Sequence, residues 1–405
     1  MAGTDRGDLT RTAILALLGT VGPLSRTEIA RELDLSPASV TQLTRELMGS
    51  GMLEELDLKP SRGGRPAQRL GLVGSAGRAL GVKVTADHLV LVDVRLDGEV
   101  LGSWERPFDP AAPGCLDELG AAIASVLEEI DGAPPLLGVG VGVPGSVEDQ
   151  AVGTVNAPTL GWQAMPVGDR LRRRLDLPVL VENDVNALAA AERLYGRGRT
   201  HRDFLVLTIG RGVGAAVVAD GRVYRGARGG AGEFGHVPVA PDGPVCGCGA
   251  TGCLEAFVGA AGLAAAARAK GLRTGDPARV TEGAAIRELG RAAVHPGPAR
   301  EVFTNAAAIL GRATAGLVNV VDPEVVVVLG EGTAQWAHWS ESFHATLRAH
   351  LLPGRRDIAV EVESWDDTSW AQGAAALVLA TPFDAAGAAG EQGRLVRARL
   401  IGAAT

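Results

Sequence analysis

The sequence predicts an α/β protein led by an all-α, winged helix-turn-helix unit. Three observations carry this. Residues 1 to 75 repeat apolar positions at spacings of three and four, punctuated by caps and short turns, and then run into a basic Gly/Pro hairpin. Further on, LPVLVENDVNALAAAE passes from a short apolar strand straight into an Ala-rich helix. At 405 residues, 46% hydrophobic and 21% charged, the chain has apolar material for two or three cored domains.

No apolar run approaches the ~18 residues of a membrane span, and MAGTDRGDLTRT lacks a signal-peptide core. The expected location is the cytoplasm, with no membrane partner. Thiols stay reduced there, so clustered cysteines point to metal ligands or catalytic groups rather than disulfides. Residues 1 to 75 balance nine Lys/Arg against nine Asp/Glu, so the remainder carries the whole net charge of -8. This argues against a generic nucleic-acid binder but not against a local reader of DNA.

Within the first 75 residues, Ile14, Leu17 and Leu18 line one face of a first helix. Ser25 with Glu28 forms a capping box for a second, which buries Ile29 and Leu33. After the turn DLSP, Ser36 caps a third helix over 37 to 49, Pro37 takes its first position, and Val40, Leu43 and Leu47 point inward. Ser39, Thr41, Gln42, Thr44 and Arg45 are then expected outward. With Ser36, these are the side chains of base-edge and phosphate contact from a major groove. Other three-helix units share the pattern, so the next segment matters. LDLKPSRGGRPAQRLGL holds Lys59, Arg62, Arg65 and Arg69 with no acid between Lys59 and Arg69, and Gly63, Gly64 and Pro66 shape a hairpin tip. Arg62, Gly63 and Arg65 on such a tip fit a narrow minor groove. The alternative is a solvated basic linker, but the position directly after a helix-turn-helix favours a wing. Double-stranded operator DNA is the expected partner, read by a homodimer or homotetramer because one recognition helix covers only a half-site.

Downstream, GEFGHVPVAPDGPVCGCGATGCLE gathers three of the chain's four cysteines. His236, Cys246, Cys248 and Cys253 offer one nitrogen and three sulfurs, a closed tetrahedral set for a structural Zn²⁺. Free thiols on a loop are the bland alternative. Glu233 and Glu255 flank the cluster, so a metal would draw two carboxylates together and fix the ring of His236. In VENDVNALAAAE, Asn183 and Asp184 stand at the end of the strand, where a carboxylate and an amide can bind sugar hydroxyls. Taken alone, these residues are better explained by a simple helix cap at Asn183 or Asp184.

The segments GVGVGVPGSVED, NAPTLGW, VENDVNALAAAE, GGAGEFGH, CGCGATGCLE and LVNVVDPEVVVVLGEG, in that order, resemble the ROK family of repressors, sugar kinases and unassigned open reading frames. The resemblance covers about residues 78 to 380. It implies an actin- and hexokinase-like (ribonuclease H-like) fold of two α/β lobes that bind a sugar. It also implies that Asn183, Asp184, Glu233, His236 and Glu255 contact that sugar, with Asp184 in the place of the kinase base, and that Gly145 and Asn156 approach it.

The kinases of this family turn from their first strand through D-x-G-G-T. Here the stretch reads LGVKVTADHLVLV: Lys83 replaces the aspartate, Thr85 and Ala86 replace both glycines, and Asp87 replaces the threonine. A second phosphate loop, usually G-T-G-x-G, reads GRGVG with Arg211. A sugar pocket beside a crowded nucleotide site is expected in a non-enzymatic sensor, with catalytic residues none and Asp184 a vestigial base. The expected protein is a repressor of carbohydrate-related genes with a sugar or sugar phosphate as effector. The second reading is an ATP-dependent sugar kinase with an appended DNA-binding domain. The expected boundaries are 1 to 75 for the DNA-binding domain, 76 to 190 and 191 to 385 for the lobes, and 386 to 405 for a tail that is a short helix or disordered.

Overall fold

The computed structural model describes residues 6–59, 67–130, 132–149, 152–272, 282–363, 368–383 and 390–402. The chain forms two compact units. One comprises Met1–Thr200, Ala227–Gly230 and Thr368–Thr405; the other comprises His201–Gly226 and Ala231–Asp367.

The first unit opens with α1 (Arg6–Val21), β1 (Leu24–Ser25), α2 (Arg26–Glu32) and α3 (Pro37–Gly49), followed by β2 (Leu53–Lys59) and β3 (Ala67–Leu72). The local chemistry sets these limits. Ser25 Oγ accepts from the Glu28 amide and Glu28 Oε2 accepts from the Ser25 amide, the reciprocal cap expected of this pair. Ser36 caps α3 by accepting from the Ser39 amide at 3.1 Å, with Pro37 at the first helical position. The three strands pair in the order β1-β3-β2, so a small antiparallel sheet backs the helices.

The larger sheet of this unit contains β4 (Arg78–Val84), β5 (His88–Arg95) and β6 (Val100–Pro107), then α4 (Cys115–Glu129) and β7 (Leu136–Val143). A three-stranded sheet of β8 (Ser146–Asp149), β9 (Thr154–Ala157) and β10 (Trp162–Pro166) follows, then α5 (Val167–Leu175), β11 (Val179–Asn183) and α6 (Asp184–Leu194). The main order is β11-β7-β4-β5-β6, with β7 and β11 parallel to β4 and a meander at the other edge. Alternation along β4 serves two layers. Leu80, Val82 and Val84 join Leu119, Ile123 and Val126 of α4, whereas Ala79 joins the alanines of a late helix described below.

The second unit repeats this order: β12 (Phe204–Ile209), β13 (Val213–Ala219), β14 (Arg222–Val223), then helices α7 (Glu255–Val258), α8 (Ala260–Ala269), α9 (Glu282–Ala292) and α10 (Pro298–Val321). β15 (Val325–Leu329), α11 (Trp336–His350) and β16 (Ala359–Val362) complete it, giving β14-β13-β12-β15-β16 with β15 and β16 parallel to β12. Its core packs Phe303 of α10 against Trp339 of α11, with Phe343 of α11 in the same buried cluster.

After Asp367 the chain returns to the first unit as α12 (Ser369–Leu379) and α13 (Gly390–Gly402). This differs from the linear expectation of a second lobe at 191 to 385, and the reason is steric. A Cβ on Gly81 of β4 would lie 1.8 Å from the Ala371 carbonyl, and one on Gly140 of β7 would lie 1.8 Å from that of Ala374. Only glycine-paved strands admit a helix this closely, and both strands belong to the first unit. In α13, Val396 and Leu400 are buried, so 390–402 of the expected tail is a docked helix.

Candidate functional site

On α3, Val40 and Leu47 are buried, and Ser36, Ser39, Thr41, Gln42 and Arg45 are exposed. Thr44 is a correction: it is fully buried, donates to the Val40 carbonyl at 2.7 Å and accepts from Arg26 Nε at 3.1 Å. At four residues past Val40 and three before Leu47 it lies on the inward stripe, where the helical period places it. Two exposed groups are already engaged: Thr41 Oγ1 donates to the Pro37 carbonyl, and Gln42 Nε2 donates to Glu46 Oε1 at 3.1 Å. Glu46 also receives Arg11, and these two donors, Arg11 first, hold its carboxyl below the usual range. Arg62, Gly63 and Arg65 lie outside the described residues.

In the first unit, β11 delivers Asn183 to the start of α6. Asn183 is the cap: its Oδ1 accepts from the amides of Val185 at 2.9 Å and Asn186 at 3.1 Å. Its Nδ2 donates to the Gly145 carbonyl at 3.0 Å, and Gly145 backs onto the carbonyl of Asn156, so the structure brings these three residues together. Asp184 is mostly buried rather than open to solvent. Its Oδ1 accepts from the Val185 amide, and its Oδ2 ion-pairs with Nζ of Lys83, which reaches it from β4 and is also buried. The same ammonium lies 4.6 Å from the ring centroid of Trp370 in the first turn of α12. Glu182 Oε1, behind them, accepts from the Asn183 amide at 2.9 Å.

In the second unit, the ligand atoms of His236, Cys246, Cys248 and Cys253 all lie within 4.8 Å of one another, close enough to hold one metal ion. Cys248 Sγ and Cys253 Sγ are 3.7 Å apart, and Cys246 Sγ is 3.6 Å from His236 Nδ1. The loop is closed by backbone bonds from the Cys246 amide to the Ala250 carbonyl and from the Gly249 amide to the Cys246 carbonyl. Gly252 is demanded by its φ of +74° and by the Ala240 carbonyl, which a Cβ would approach to 1.6 Å. Burial, then the neighbouring thiols of Cys248 and Cys246, push the Cys253 thiol up to about 11, whereas the Ala250 amide lowers that of Cys248. A divalent cation among them would offset the repulsion of adjacent thiolates. With Nδ1 turned to the sulfurs, His236 Nε2 faces Glu233 Oε2 at 3.7 Å. Glu255 Oε2 accepts from the Val213 amide at 3.1 Å, which sets it beside the GRGVG turn.

The model of the ROK family matches residues 79–381. The chain belongs to the ROK family. Ahead of that match, an IclR helix-turn-helix domain matches residues 12–57, the stretch from α1 into β2. Among ROK relatives, the xylose repressor of Caldicellulosiruptor bescii is 30% identical over 316 residues, covering 75% of this chain and 78% of the relative. A crystal structure of a ROK family transcriptional regulator, a homolog of the E. coli MLC protein, superposes with TM-score 0.79 at 25% identity, covering 98% of this chain and 99% of that one. A ROK glucokinase from Streptomyces griseus, solved with glucose and AMPPNP, gives TM-score 0.64 at 29% identity and covers 74% of this chain and 99% of its own. The two-lobed fold implied by the sequence resemblance is thus the fold of the chain, with the helix-turn-helix ahead of it. Sequence reasoning read Lys83 only as a lost aspartate and missed it as the partner of Asp184; a lysine in the apolar run LGVKV was the available signal. Trp370 gave no signal, because it meets Lys83 only through the chain's return to the first unit.

Proposed function

We propose that this ROK protein is a sugar-responsive transcriptional repressor of carbohydrate-related genes. The observation that carries the reading is the Lys83–Asp184 ion pair. In a sugar kinase the base must accept a proton from the sugar hydroxyl while cationic groups attend the transferred phosphoryl group. Here the carboxylate at the base position is held by an internal ammonium, and that ammonium grows from the strand position where an acidic metal partner is needed. Thr85 and Asp87, beside it, are occupied with one another and with His88. Nucleotide phosphates would meet side chains where the kinase loop offers glycine.

Residues 1 to 75 are proposed to read operator DNA. Ser36, Ser39, Thr41, Gln42 and Arg45 of α3 would face the major groove, and Arg62, Gly63 and Arg65 would reach the minor groove. A homodimer, or a tetramer of such pairs, would supply two recognition helices for two half-sites. Asn183, Asp184, Glu233, His236 and Glu255 are proposed as sugar contacts, the effector being a sugar or sugar phosphate. His236, Cys246, Cys248 and Cys253 are proposed as ligands of a structural Zn²⁺. Zinc–sulfur bonds of ~2.3 Å in a tetrahedron set sulfurs ~3.8 Å apart, close to the 3.7 Å between Cys248 and Cys253. Bound zinc would supply folding energy and a fixed loop, leaving His236 Nε2 to orient Glu233.

The test is binding of the full chain to DNA from its own promoter region, with and without D-xylose, D-glucose, N-acetyl-D-glucosamine and their phosphate esters. The expected result is a change in operator affinity of about 5- to 150-fold with one of them. Operator binding that ignores every sugar would overturn the reading. So would phosphorylation of a panel sugar with Mg-ATP at an ordinary enzymatic turnover of about 1 to 10³ per second.

A further inference from the structure

The apolar core of the helix-turn-helix does not end at its own boundary. Ile14, Leu15 and Leu18 of α1, Ile29 of α2, and Val40 and Leu47 of α3 share one buried cluster with Ala371, Ala375, Ala376, Val378 and Leu379 of α12 and with Val396 and Leu400 of α13. Directly after α12 the chain makes the 3₁₀ turn Thr381–Phe383, against which both α1 and α13 pack. Thr381 is buried, its hydroxyl donating to the Leu377 carbonyl at 2.8 Å and its carbonyl accepting from Arg397. The other end of α12 presents Trp370 to the Lys83 ammonium, which pairs with Asp184. One short helix therefore reaches the Lys83–Asp184 ion pair at its N-terminal end and at its C-terminal end runs into the turn that packs against α1.

We propose that α12 carries the state of Asp184 to the helix-turn-helix, with Lys83 and Trp370 as the positioning residues that couple its first turn to the carboxylate. This rests on the sugar-responsive reading and names the residues that relay the response. The physics is a competition for one carboxylate. Asp184 Oδ1 already accepts from the Val185 amide and Oδ2 pairs with Lys83, so a sugar hydroxyl donating to either oxygen draws on the negative charge that holds the ammonium. A buried ammonium that loses part of its pairing has to be compensated by its surroundings, and the ring of Trp370 is what stands there. Contact with the backbones of Gly81 and Gly140 prevents α12 from moving toward the sheet, and a Cβ on Gly373 would lie 3.0 Å from the Leu188 side chain of α6. The displacement left open is a slide along the helix axis, a shear over small side chains. Such a slide pushes the 381–383 turn against α1 and changes where α3 is presented. The effector shifts this equilibrium only by its differential affinity for the two positions.

The test uses the full chain and two readouts. First, hydrogen exchange without sugar compares wild type with Trp370→Leu and Lys83→Met, with Trp370→Phe as the conservative control. Exchange in the first turn of α12, the 381–383 turn and α1 should rise by about fivefold or more, the low end of ordinary coupling, while α4 stays unchanged and Trp370→Phe largely restores protection. Changes confined to β4, α6 and the first turn of α12 in both variants would overturn the relay. Because Lys83→Met strands a buried carboxylate, Trp370→Leu keeps the test decisive if that variant folds poorly. Second, operator affinity is titrated with D-xylose, D-glucose and N-acetyl-D-glucosamine. Trp370→Leu should bind operator without sugar but lose the sugar-induced change seen in wild type. A full wild-type response in Trp370→Leu would overturn the relay and leave the repressor reading standing; a wild type deaf to all three sugars would strike the repressor reading, with the exchange result still judging the relay.

Discussion

Lys83 and Asp184 illustrate what a single residue can change. A carboxylate free of internal partners can take up a proton; Asp184 is instead already paired with a buried ammonium. Removing one partner of a buried pair costs on the order of 3 to 5 kcal/mol, because the other charge is stranded. Lys83→Met is therefore expected to lower the denaturation midpoint clearly, and the double variant with Asp184→Asn to recover much of the loss; equal midpoints for wild type and Lys83→Met would contradict a buried pair. Asn183 shows the limit of reading residues singly: both a sugar-binding amide and a cap were compatible with VENDVN, and the structure engages it as the cap. Cys248 is an exposed residue of the loop cluster, so its loss disturbs little packing. Cys248→Ser should nevertheless lose about one zinc per chain. Structural zinc contributes on the order of 10 kcal/mol to folding, so the same variant should melt at a markedly lower temperature. A zinc-free variant with an unchanged melting curve would show that the metal is dispensable.

Among the elements, α3 was the most legible, because a cap, a proline and a 3.6-residue period are all local signals. Thr44 was misplaced within it for a plain reason: its polarity suggested solvent, whereas its phase assigned it to the core, and phase prevailed through a hydroxyl bond to Val40. Gln42 and Arg45 remain exposed on this helix. Alanine at either position should relax base preference, at about 1 to 3 kcal/mol for a good bidentate contact, whereas Arg65→Ala should weaken binding chiefly on operators with A·T-rich flanks. Binding measured across a panel of operator variants separates these outcomes, and equal losses on every sequence for all three would contradict the assignment. α12 was the least legible element. SWAQGAAALVL has no polar face to mark an orientation, since the helix is buried nearly all round between the sheet, α6 and the 381–383 turn.

Across the whole molecule, the family motifs gave the two-lobed architecture, because they span core strands and the turns that follow them, such as β7 into β8 and β11 into α6. Boundaries were harder to read. The return of the chain to the first unit at Thr368 depends on glycines in β4 and β7 meeting alanines more than two hundred positions later in the sequence, a long-range fit with no local mark. The expectation of a DNA-binding domain at 1 to 75 likewise gave no hint that its core continues into the lobe. One consequence follows for stability: core amides of α1 and α3 should share a single opening transition with those of α12 in native-state hydrogen exchange. A helix-turn-helix that opens alone at much lower free energy would contradict the continuous core.

The central claim is that sugar and operator binding are coupled in one chain, and thermodynamic linkage makes it testable in reverse. The most direct measurement is calorimetric titration of the full chain with the sugar that alters operator affinity, with and without saturating operator DNA. The account predicts that operator changes sugar affinity by the same factor, about 5- to 150-fold, as sugar changes operator affinity. Equal sugar affinity in the two titrations would contradict it.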